Sequence, residues 1–107
     1  MKKIKRKTTK TIISKVKALI IEHDKILFLK TERDDFTIWD LPGGTIHYGE
    51  RVENALIRRV IQEINAHIHI EKSLGIWWWV DQQTGTFSLC HTYKAHLNVL
   101  DKNTMLI

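Results

Sequence analysis

The sequence is poor in the residues that staple, break or anchor a chain. Its single cysteine, Cys90, has no partner for an internal disulfide. A disulfide-framed scaffold is excluded, and a reducing, cytoplasmic compartment is the simplest expectation. Cys90 sits in an apolar-rich segment, the setting of a buried structural thiol. One proline and five glycines in 107 residues leave no material for a Pro/Gly-rich linker. No apolar run approaches the ~20 residues of a membrane-spanning helix, and no membrane association is expected. The basic stretch before residues 16–21 is not expected to act as a leader peptide. Lys15 and Lys17 interrupt the apolar run, and Glu22-His23-Asp24-Lys25 ends it without a small-residue cleavage site. Acids are missing from the first ten residues, where six of the seventeen Lys and Arg are found. The formal charge of +5 therefore belongs to the N-terminus, since the remainder holds eleven bases against twelve acids. Residues 1–14 read as a basic tail. Such a tail is ordinarily a solvated terminus, and contact with nucleic-acid phosphates is the sharper alternative. Residues 15–107 read as one domain.

Residues 16–21 and 26–29 carry the apolar and β-branched content of two strands, joined by the polar turn at Glu22–Lys25 into a hairpin. Residues 31–37 are polar and read as a surface loop. Pro42-Gly43-Gly44 forces a tight turn. From Glu50 onward, Ala55, Leu56, Val60, Ile61 and Ile64 recur at helical spacing with one buried face, and Arg59, Gln62, Glu63 and Ala66 recur on another. Residues 74–80 and 86–97 read as two further strands, joined through the turn at Asp81-Gln82-Gln83-Thr84-Gly85. This order implies an α+β fold, a mixed sheet with a helix packed on it.

The run Leu41-Pro42-Gly43-Gly44-Thr45-Ile46-His47-Tyr48-Gly49-Glu50, followed by Arg58 and Glu63, resembles the signature of the Nudix hydrolases, G-x5-E-x7-R-E-U-x-E-E-x-G-U, with U a bulky apolar residue. From Gly44, five residues lead to Glu50 and seven more to Arg58, so the spacing fits without a gap. Trp39 precedes it where the family often has an aromatic. The chemistry departs from the pattern. Arg59 and Gln62 stand where the family has glutamates, Glu63 keeps the third, Asn65 replaces the glycine, and Ala66 holds the closing apolar position. The resemblance covers residues 16–97 and implies an α/β/α sandwich, with the signature as loop–helix–loop on one side of the sheet. Family members usually continue through more sheet to a closing helix. That helix is missing here, which suggests a covering second copy, a shortened member or a fragment.

The resemblance also implies an activity, the hydrolysis of a nucleoside diphosphate linked to another group, with Mg2+ or Mn2+ as cofactor. Such chemistry neutralises the phosphates and aligns and deprotonates a water. Carried onto this chain, Glu63 is the candidate metal ligand and catalytic group, with Glu50 in support and Arg58 bracing the loop. Gln62 can offer only a neutral oxygen to the metal. Gly43 and Gly44 match positions where a backbone carbonyl faces it. Arg59 is neither base nor ligand. It either pairs with Glu63 and competes with the metal, or binds phosphate as a fork of donors. His47 in the loop is a second phosphate candidate.

Trp77-Trp78-Trp79 is the other prominent run. In a strand, Trp77 and Trp79 face one side and Trp78 the other. Trp77 and Trp79 are candidate base-stacking residues; alternatively they cover the sheet or a homodimer interface. His67 and His69 alternate on a strand but lack a third ligand at recognisable spacing. Three functions stay open: a divergent hydrolase, a catalytically impaired nucleotide-binding sensor or interaction module, and a decayed product without selected activity.

Overall fold

The computed structural model describes residues 11–32 and 34–98. The tail's residues 1–10 lie outside the described residues. Strand β1 (Ile12–Glu22) starts three residues inside the segment read as tail. It is the central strand. Val16, Ala18 and Ile20 alternate along it and are fully buried, as a strand packed on one face requires. A tight turn, with His23 and Asp24 at positive φ, returns the chain as the short antiparallel β2 (Lys25–Ile26).

The stretch read as a surface loop is instead an antiparallel hairpin, β3 (Leu29–Glu32) with β4 (Thr37–Asp40). Nearly all of its residues are exposed. A ribbon wet on both faces has no buried side to impose alternation, so its sequence carries no strand signal. The chain then reaches β5 (Gly43–Thr45), which pairs antiparallel with β1.

Helix α1 (Val52–Ile64) follows, two residues later than the sequence suggests. Arg51 is its N-cap without a side-chain capping bond, and Glu53 lies in the first turn, where a negative charge complements the helix dipole. Ala55, Leu56 and Val60 are fully buried. Asn65 ends the helix in the left-handed conformation, φ 52°, which asparagine tolerates better than most residues. Ala66 therefore lies beyond the helix and not on its polar face; it is fully buried in the core.

Strands β6 (Ile68–Val80) and β7 (Phe87–Leu97) form a long antiparallel hairpin with irregularities between Ile70 and Lys72 and between Ser73 and Gly75. β7 runs parallel to β1. The sheet order is β2-β1-β7-β6, with β5 also on β1. The result is the expected α+β arrangement, a mixed sheet with one helix packed on it. Among the described residues α1 is the single helix, so the second helical layer of a sandwich does not fall among them. The core lies between α1 and the face of β1 and β7 that carries Val16, Ile20, Tyr93 and Ala95.

Candidate functional site

The turn Leu41-Pro42-Gly43-Gly44 brings the loop against β1 and α1. Ala18 N–H donates to the Pro42 carbonyl at 2.8 Å, and Gly43 pairs with Lys17. Gly43 has φ 140°, and a Cβ there would lie 2.0 Å from the Val16 carbonyl oxygen. Only glycine admits this approach. It places the Gly43 peptide over the polar face of α1, where its N–H donates to Glu63 Oε1 at 2.7 Å.

Two arginine forks hold the loop and helix together. Arg58 grips Glu50 through Nε to Oε2 at 2.7 Å and Nη2 to Oε1 at 3.1 Å, and Nη2 also reaches the Thr45 carbonyl at 3.1 Å. The His47 backbone N–H adds a bond to Glu50 Oε1 at 3.0 Å. The Arg58 guanidinium first, then the His47 N–H, hold the Glu50 carboxyl down to about 2, because both favour the charged form. Glu50 in turn raises Arg58 above its ordinary value.

Arg59 forms the second fork. Its Nε donates to the Gly43 carbonyl at 3.2 Å, Nη1 to Gln62 Oε1 at 3.4 Å, and Nη2 to Glu63 Oε2 at 3.3 Å. Gln62 Oε1 also accepts from Arg58 Nη1 at 3.3 Å.

These groups line an open cleft of about 460 Å³, whose walls include Gly44, His47, Arg58, Arg59, Gln62 and Glu63. Glu50 stands behind the wall as the partner of Arg58. Two further cations line the cleft that the sequence shows only as interruptions of an apolar run, Lys15 and Lys17. Their spacing of two was the available signal, since it puts both on one face of β1. Lys17 is largely buried and pairs with Asp40 at 2.9 Å. Lys15 enters no ion pair among the described residues; its ammonium sits 5.4 Å from the ring centroid of Trp79.

Trp77 and Trp79 are not cleft walls. Lys15, Cys90 and Trp77 are in register across β1, β7 and β6, and so share the sheet face opposite to that of Val16, Ala18 and Ile20. Trp77 and Trp79 stack there with centroids 4.7 Å apart, and Trp77 Nε1 donates to Thr92 Oγ1 at 2.7 Å. Trp78 faces the other side and stacks on Phe87. Lys15 links the tryptophan pair to the cleft. Cys90 is fully buried on this face, and burial raises its thiol above its ordinary value, the setting expected of a structural thiol.

The donor set does not fit a divalent cation with Arg59 seated. Among the described residues no group of three or more His, Cys, Asp or Glu gathers around one point. The oxygens of Gly43, Gln62 and Glu63 converge, but on a guanidinium. They bring one carboxylate charge, weak competition for a hard cation that prefers several.

A family model described as the NUDIX domain matches residues 13–104. A Bacillus subtilis (strain 168) protein, provisionally named an 8-oxo-dGTP diphosphatase, is 34% identical over 56 residues, covering 52% of this chain and 36% of that protein. A NUDIX hydrolase from Nitrosomonas europaea superposes with a TM-score of 0.73 at 26% identity, over 80% of this chain and 59% of that one. A MutT NUDIX hydrolase from Burkholderia pseudomallei gives 0.69 at 26% identity, over 81% and 68%. The chain thus spans roughly a third of the curated relative's length (36%) and somewhat over half of the Nitrosomonas protein's (59%).

Proposed function

The chain belongs to the NUDIX family, and on that premise we propose that its cleft binds the diphosphate of a nucleoside diphosphate derivative and hydrolyses it slowly through Glu63. The observation that carries this reading is the meeting of four cationic side chains, Lys15, Lys17, Arg58 and Arg59, in one cleft with two carboxylates, Asp40 paired with Lys17 and Glu63 oriented by the Gly43 N–H. Cations in a walled cleft concentrate a phosphate anion, and the guanidinium of Arg59 suits phosphate oxygens.

In the hydrolytic step a water oxygen attacks one phosphorus and the bridging P–O bond breaks. Glu63 takes the water's proton, and the bridging oxygen leaves with the second phosphate. The Gly43 N–H fixes one Glu63 oxygen, and the other, held by Arg59 Nη2 at 3.3 Å, serves as base only when Arg59 moves aside. Arg58 and Glu50 keep the loop closed on the helix, and His47, a cleft residue, is proposed to contact phosphate. Nudix hydrolases generally use divalent metals. Mg2+ or Mn2+ would supply charge neutralisation here only with Arg59 displaced, which is why slow turnover is expected.

Product release from a panel of nucleoside diphosphate derivatives, with Mg2+ and with Mn2+, tests the reading. Native turnover should exceed that of Glu63→Gln by about a hundredfold or more, the usual weight of a positioned base. Equal rates would remove Glu63 from the chemistry. The second reading, a nucleotide-binding sensor without turnover, is favoured by one observation, the Arg59–Glu63 pair that engages the remaining carboxylate. Ligand binding with no turnover for any substrate would select it.

The same proposal extends to partners. The exposed Ile76 and Trp78 on the outer strand β6 suit a homodimer contact, which light scattering of a monomer would refute. The cations among residues 1–10 suit nucleic acid, which binding insensitive to salt would refute.

A further inference from the structure

The Gly43 carbonyl and the Glu63 carboxylate meet on one positive group, the Arg59 guanidinium, and the Gln62 amide oxygen is shared between Arg59 and Arg58. The arrangement is tight. A Cβ added at Gly44 would come within 2.5 Å of Arg59 Nε, so Gly44 leaves the room in which the Arg59 side chain lies. The Gly43 N–H secures the other Glu63 oxygen at 2.7 Å, so the carboxylate is oriented before any ligand arrives. Three accepting oxygens around a cation make a cation site, and here Arg59 fills it.

We propose that Arg59 is a built-in cation occupying the oxygen cage of Gly43, Gln62 and Glu63, so that the cleft binds a diphosphate group without a divalent metal. This rests on the reading of the cleft as a diphosphate site and adds to it how the phosphate charge is met. Three physical points support it. A guanidinium stays charged at any accessible pH, so the cage is never vacated by deprotonation. It is tethered one helical turn from Glu63, so a dissolved ion competes against an intramolecular partner. And its five donors outnumber the three acceptors that hold it, leaving N–H groups for phosphate oxygens in a side chain that is 36% exposed. Lys15, which has no carboxylate partner among the described residues, adds a second charge at the cleft wall.

The test uses the full chain, native, Arg59→Glu and Arg59→Gln, in two separate measurements. Calorimetric titration with inorganic pyrophosphate in excess EDTA should show saturable binding to the native protein. Both variants should weaken it by about ten- to a hundredfold, the loss expected for charge-assisted bonds. Free Mn2+ followed by electron paramagnetic resonance, without pyrophosphate, should show the native chain binding the ion poorly and Arg59→Glu binding it at least about tenfold more tightly, since a carboxylate then replaces the cation. Arg59→Gln keeps the test open should Arg59→Glu fail to fold. Pyrophosphate binding that appears only after Mg2+ is added would overturn the proposal. So would native Mn2+ affinity equal to that of Arg59→Glu. If pyrophosphate binds under neither condition, the diphosphate reading of the cleft falls, and the Mn2+ measurement alone decides whether Arg59 fills the cage.

Discussion

Arg58 and Glu50 are joined at two points, Nε to Oε2 at 2.7 Å and Nη2 to Oε1 at 3.1 Å. The fork fastens the loop that ends at Glu50 to the second turn of α1. It also ties the fold to pH. The Glu50 carboxyl lies near 2 in the folded chain against an ordinary 4.5. A depressed folded value contributes stability that is complete above the unfolded value and is lost as pH falls through the folded one. Urea denaturation should therefore show stability declining from about pH 4.5 toward pH 2. Glu50→Gln should flatten that limb relative to the native chain. An unchanged slope would show that the fork is not linked to folding.

Gly43 stands where no side chain fits. Its φ of 140° and the 2.0 Å approach of the Val16 carbonyl to a built Cβ mean that Gly43→Ala must move β5 off β1. A cost of roughly 2–3 kcal/mol or more is expected from strain and clash together. Gly85→Ala, at φ 72° with open space around the Cβ, meets the strain alone and should cost less. Thermal denaturation of the two variants checks the order.

Leu56 anchors α1 on the sheet and is fully buried. Leu56→Ala should cost about 2–5 kcal/mol. Ile61, only half-buried and outside the core cluster, should cost clearly less on truncation. Equal losses would mean that the helix is packed differently.

Lys15 sits 5.4 Å from the Trp79 ring and lines the cleft. An anion that draws the ammonium into the cleft should alter tryptophan emission. Inorganic pyrophosphate should change the fluorescence of the native chain, and the change should disappear in Trp79→Phe and in Lys15→Ala. A change that survives in both would show that the Lys15–Trp79 pair is not the reporter.

Much of the fold was legible because burial writes period into sequence. Ala55, Leu56 and Val60 marked the helix, and Val16, Ala18 and Ile20 marked the central strand. The β3–β4 hairpin was illegible because it has no dry face. Ala66 was misplaced because the helix stops at Ile64, where Asn65 turns left-handed. The spacing from Gly44 to Glu63 placed Glu50, Arg58, Arg59, Gln62 and Glu63 along one loop and helix. It did not show that Arg59 turns back onto the Gly43 carbonyl, because that contact depends on how closely the loop folds over the helix. Lys15 and Lys17 were seen only as breaks in an apolar run; their membership of the cleft follows from β5 pairing with β1.

Chemical-shift mapping on the isotopically labelled full chain asks most directly whether the cleft is a nucleoside diphosphate site. With a panel of nucleoside diphosphate derivatives, at least one ligand should produce saturable shifts at the amides of Gly43, Gly44, Thr45, Arg59 and Glu63, and excess inorganic pyrophosphate should replace that pattern with the one it gives alone. Saturable shifts confined to other surfaces, such as the β3–β4 hairpin, or no shifts with any ligand, would contradict it.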